Sequence, residues 1–81
     1  MAKYFQLRAA RALAGLSQAE IAEASGVSIP TIKRAEADGP INVSADAVAA
    51  IVAALEAAGV EFIPENGGGA GVRLAKRSKR K

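Results

Sequence analysis

Gly15-Leu16-Ser17-Gln18-Ala19-Glu20-Ile21-Ala22-Glu23-Ala24-Ser25-Gly26-Val27-Ser28-Ile29-Pro30-Thr31-Ile32-Lys33-Arg34-Ala35-Glu36 reads as two short helices joined by a tight glycine turn. Ser17 is a good N-cap, and Glu20 three residues later completes a Ser-x-x-Glu capping box. Ile21 and the small Ala22 then face a core. Gly26 can take the left-handed conformation that closes a helix and reverses the chain, and Val27 plugs the corner. Ser28 caps the next helix, with Pro30 in its first turn, where a missing N–H breaks no intrahelical bond. That helix is expected to run to about Ala37. Ile32 and Ala35 point inward, which leaves Ile29, Pro30, Lys33 and Arg34 on the outward side.

Working outward, a helix is expected from about Ala2 to Ala14, with Leu7, Ala10 and Ala14 as its inward stripe, Arg11 beside that stripe and Gly15 ending it. Leu13 falls off this line, and the sequence leaves open whether it widens the buried face or meets a neighbouring element. Asp38-Gly39-Pro40 is a stop and turn. A fourth helix begins at Ser44, with Asp46 near its positive end, and continues to Gly59, carrying the apolar stripe Val48, Ile51, Val52 and Leu55. Beyond Gly59 the period changes. Val60-Glu61-Phe62-Ile63 and Val72-Arg73-Leu74 read as two strands joined by the glycine-rich segment 64–71. A lone hairpin is marginal in water, so these strands are expected to pack on the fourth helix or to pair with those of a second copy.

The composition narrows the chemistry. The 81 residues contain no Cys and no His, which removes a disulfide framework, a structural zinc site and imidazole chemistry. One small domain of this size has a limited core, and dimerisation is a common remedy. The longest apolar stretch, between Ser44 and Gly59, is alanine-rich, interrupted by Asp46 and Glu56, and too short to span a bilayer. No signal peptide is apparent, and a cytoplasmic location is expected. The formal net charge is +3, but Lys76, Arg77, Lys79, Arg80 and Lys81 supply five positive charges, so the rest of the chain stands at −2. A cationic tail on a nearly neutral body suits a polyanion.

Two helices joined at such a turn place the second in the major groove of DNA. The pattern Gly15-Leu16-Ser17-Gln18, Ile21-Ala22, Gly26-Val27-Ser28, Thr31-Ile32 and Glu36 resembles the lambda-repressor-like, or XRE-type, helix-turn-helix family of transcriptional regulators, from about Leu7 to Gly39. The resemblance implies a mainly α fold, a bundle of about four helices with a short C-terminal β-hairpin that dimerises. Residues 1–59 would form the DNA-binding domain, 60–75 the hairpin and 76–81 a basic disordered tail.

The same resemblance assigns roles. Gln18 matches the position whose side chain and backbone amide meet a phosphate, and a helix N-terminus attracts anions in any case. Arg11 and Glu36 match a pair that bridges the first and third helices, a structural role, while Arg8 is left for phosphate. Ser28 and Thr31 carry hydroxyls able to bond phosphate or base edges, although Ser28 serves equally as a cap alone. Ile29 and Pro30 stand where relatives often carry base-reading amides. They cannot form bidentate bonds to adenine, so contact with a thymine methyl is the substitute. Arg34 fits guanine O6 and N7 with its planar fork, and Lys33 fits a phosphate. The tail 76–81 is either an electrostatic arm for any duplex or a solubilising segment.

The implied function is a bacterial homodimeric repressor binding double-stranded DNA at an inverted repeat. The competing reading is an antitoxin-like or adaptor protein that presents its C-terminal strands to a partner such as a toxin. Catalysis is not expected, nor is any cofactor or metal. Glu20, Glu23, Glu36 and Asp38 have no forced common pocket, and Gly67-Gly68-Gly69 lacks the lysine and following helix of a phosphate loop.

Overall fold

The computed structural model describes residues 4–38, 43–64 and 68–75. The element order is α1 (Tyr4–Ala14), α2 (Gln18–Ser25), α3 (Ile29–Asp38), α4 (Ala45–Ala57), β1 (Val60–Ile63) and β2 (Gly71–Leu74). The expected stop at Gly39 and Pro40, the start of the first helix at residues 2–3, the middle of the glycine connection and the basic stretch 76–81 lie outside the described residues.

Each helix end follows from a local hydrogen-bond requirement. An α-helix leaves its last carbonyls without intrahelical donors, and Gly15, at φ +73°, turns the chain back over the end of α1. The Gly15 N–H then reaches Ala12 O at 3.1 Å and the Leu16 N–H reaches Arg11 O at 3.1 Å, the paired bonds of a Schellman cap. At the start of α2, Ser17 Oγ accepts from the Glu20 N–H at 3.0 Å while Glu20 Oε1 accepts from the Ser17 N–H at 2.7 Å. Gly26, at φ +77°, closes α2 with its N–H on Ala22 O at 2.9 Å. Ser28 and Ser44 cap α3 and α4, accepting from the Thr31 and Ala47 N–H groups at 3.3 and 3.1 Å. Helix α4 ends at Ala57, two residues before the expected Gly59, because Gly59 takes φ +103° and starts the turn into β1.

The core draws on every helix and on the first strand. Leu7 and Ala10 of α1, Ile21 of α2, Ile32 and Ala35 of α3, Ile51 and Leu55 of α4, and Val60 of β1 form one buried cluster. Ala14, Leu16, Ala22, Val27 and Val52 pack against it. Leu7, Ile21, Ile32 and Leu55 are the largest fully buried side chains, each contributing roughly 2 to 3 kcal/mol through removal from water. Leu13 remains 41% exposed and does not widen the buried face. Among the described residues no helix is long and apolar enough to cross a membrane.

The strands pair antiparallel with Val60 opposite Leu74 and Ile63 opposite Gly71. Strand β1 packs on α4, one of the two placements expected of a hairpin that is marginal alone, but both strands also lie on α1. Phe62 and Val72 pack against the core to which Leu7 and Ala10 of α1 belong, and one polar side chain of α1 adds to this. Gln6 is 4% exposed, and its Nε2 donates to Ile63 O at 3.3 Å and to Gly71 O at 3.0 Å, bridging the last pair of the ladder. On the outer face, Arg73 Nε meets Glu61 Oε1 at 2.8 Å across the strands. The hydrogen bond from Arg73, and then its charge, hold the Glu61 carboxyl below its ordinary pKa. The pair is open to solvent on both sides, where such pairs add little.

Replacing Gln6 by Ala removes a nearly buried side chain and its two bonds to strand carbonyls, at about 0.5 to 1.5 kcal/mol per bond. Urea unfolding should show that loss. Amide exchange should rise in Val60–Ile63 and Gly71–Leu74 more than in α2.

Candidate nucleic-acid interface

Helix α3 presents two unlike sides. Ile32 and Ala35 are fully buried, whereas Ile29, Pro30, Lys33 and Arg34 are exposed. The 3.6-residue period forces this division once Ile32 is taken by the core. Val27, just before the Ser28 cap, packs against the same core, so the corner is closed without any help from Ile29.

The orientation of α3 is set by an ion pair at its far end. Arg11 Nε donates to Glu36 Oε2 at 2.7 Å and Arg11 Nη2 donates to Glu36 Oε1 at 3.0 Å, a fork-to-fork contact with strong directional preference. Arg11 Nη1 also donates to Leu16 O at 3.2 Å, tying the α1–α2 turn to the same guanidinium. The bond to Glu36 holds the Arg11 pKa above its ordinary value, against the opposing effect of burial.

Gln18 joins this network. Its Nε2 donates to Glu36 Oε1 at 3.2 Å, so in the isolated chain this half-buried side chain is directed to the ion pair. The N–H groups of Gln18 and Ala19 precede the first intrahelical bond of α2. They lie at the positive end of that helix. Ser28 and Thr31 are also joined, with Ser28 Oγ donating to Thr31 Oγ1 at 2.9 Å. Ser28 is thus both cap and partner, its hydroxyl directed to Thr31 in the isolated chain. Arg8, on α1, is exposed.

The structure accordingly brings Arg11, Gln18 and Glu36 into one network, and sets Ile29, Pro30, Lys33 and Arg34 on one exposed surface beside the Ser28–Thr31 pair. Sequence reasoning missed two contacts, from Gln18 to Glu36 and from Arg11 to the Leu16 carbonyl. Neither has a periodic signature, since both join residues brought together by the turn. Among the described residues no cluster of Asp and Glu is placed to hold a metal ion.

Residues 5–62 match the family described as a helix-turn-helix domain, and the chain belongs to that family, in accord with the lambda-repressor-like pattern around Gly26. Membership points to a DNA-binding regulator. Comparison with curated proteins returns no match.

Substituting Glu36 by Ala leaves the Arg11 charge, only 22% exposed, without its partner, at a cost on the order of 3 kcal/mol. Joint replacement, Arg11→Met with Glu36→Leu, removes both charges and should recover most of that stability. Urea midpoints of the single and double variants, at a constant m-value, make the comparison.

Proposed function

We propose that the protein is a sequence-specific DNA-binding repressor that acts as a homodimer, with α3 as the helix that enters the major groove. The observation that carries this reading is the exposed Ile29, Pro30, Lys33 and Arg34 surface on a helix whose opposite side, Ile32 and Ala35, is completely buried. A rigid helix with a cationic outer side is what groove recognition requires.

In this reading the residues divide by chemistry. Arg34 reads guanine through O6 and N7, and Lys33 neutralises a phosphate. The α2 N-terminus at Gln18 and the hydroxyls of Ser28 and Thr31, the former by turning its proton away from Thr31 Oγ1, donate to phosphate oxygens or meet base edges. Ile29 and Pro30 meet a thymine methyl. Two copies related by a two-fold axis would place their recognition helices about 34 Å apart, on an inverted repeat, and block access of polymerase to the DNA beneath. The hairpin 60–75 would serve as the dimerisation element of the 1–59 domain. The basic stretch 76–81 would strengthen binding to any duplex in a cytoplasmic setting.

An adaptor or antitoxin-like role, with the strands offered to a different protein, draws its support from Leu74. This residue ends β2 at 56% exposure. A stoichiometric heterologous partner in place of a homodimer would favour that role.

Selection from randomised duplex DNA at moderate salt should return an inverted-repeat motif. Arg34→Ala should relax preference at one base pair per half-site and weaken binding by about 1 to 3 kcal/mol. Removal of residues 76–81 should weaken all sequences alike and flatten the salt dependence. Absence of any enriched motif would contradict the reading, and a uniform loss from Arg34→Ala would reduce Arg34 to a phosphate anchor.

A further inference from the structure

Ile29 and Pro30 are apolar and exposed at the start of a helix whose next large outward side chains are Lys33 and Arg34. Ile29 is 37% exposed, and neither side chain can donate or accept a hydrogen bond. The core does not require them, because Val27 and Ile32 occupy the apolar positions on either side of the Ser28 cap. The adjoining Ser28 hydroxyl is directed to Thr31 in the isolated chain.

The major-groove edge of DNA offers such a surface one apolar feature, the C5-methyl group of thymine. 5-Methylcytosine carries the same methyl at the same ring position. The two bases differ at position 4, where thymine has an acceptor oxygen and cytosine a donor amine. Sensing that difference takes a polar group, and the Ile29 and Pro30 side chains have none.

We infer that Ile29 and Pro30 form a site for pyrimidine C5-methyl groups that accepts thymine and 5-methylcytosine as equivalent ligands. Cytosine methylation would then create binding sites for this protein. This inference rests on the reading of α3 as the groove-facing helix and deepens it. Arg34 follows Pro30 by one helical turn, about 6 Å along the axis. The methyl-sensitive base pair therefore lies within about two steps of the guanine that Arg34 reads, at roughly 3.4 Å per step.

The experiment is a set of four parallel selections with the full chain. Randomised duplexes are built from thymine and cytosine, deoxyuridine and cytosine, thymine and 5-methylcytosine, or deoxyuridine and 5-methylcytosine. The thymine and cytosine library should enrich thymine at one position near the guanine. Deoxyuridine at that position should bind about threefold to fivefold more weakly, the effect of one methyl group left in water. In the library of deoxyuridine and 5-methylcytosine the preference should return at the same position as 5-methylcytosine. Ile29→Ala should reduce or abolish the difference between thymine and deoxyuridine duplexes while leaving guanine preference in place. A motif that tolerates deoxyuridine as well as thymine, or that rejects 5-methylcytosine, overturns the inference while leaving DNA recognition by α3 intact. Failure of every library to yield a motif overturns both.

Discussion

A single carboxylate, Glu36, ties together three parts of the chain. Its two oxygens accept both forks of Arg11 and the amide of Gln18, while Arg11 holds the Leu16 carbonyl in the turn between α1 and α2. Burial and packing alone would permit α3 to roll over Ile32 and Ala35, since hydrophobic contact has no direction. A bidentate guanidinium contact does have direction. The network is therefore better understood as setting the angle of α3 than as adding stability, which a well-packed apolar pair could supply as well.

Around that constraint the fold is assembled from short elements, each closed by its own hydrogen bonds. The capping box at Ser17 and Glu20, the left-handed Gly15 and Gly26, and the Ser28 cap leave little freedom in where α2 and α3 begin and α2 ends. A small core then requires only that Leu7, Ile21, Ile32 and Leu55 meet. The hairpin joins this core through Val60, with Phe62 and Val72 packed against it, and is bonded at its far end by Gln6, so the strands have a fixed position relative to α1.

Most of the helical architecture was legible because the relevant signals are local. Capping residues act over three positions, and apolar stripes repeat every three or four, so Ile32 and Ala35 could be assigned inward and Arg34 outward from spacing alone. The hairpin strands were legible from the change of period after Gly59, but not the surface they cover. That involves Gln6, which shares the helical line of Ala10 and Ala14 but as a polar residue gives no apolar signal, together with the half-buried Phe62 and Val72. Leu13 illustrates the opposite difficulty, an apolar residue that the core does not recruit. The site was legible as a set of outward residues. The orientation of the Gln18 side chain was not, because its partner lies 18 positions away and is brought near only by the completed turn.

The most direct measurement of the central claim is an amide chemical-shift titration of the labelled protein with a duplex bearing its selected site. The account predicts the largest perturbations in Ile29, Thr31, Lys33 and Arg34 and at the start of α2, with the buried face of α3 and the middle of α4 little changed. Perturbations confined to α4 and the hairpin, with α3 silent, would contradict it.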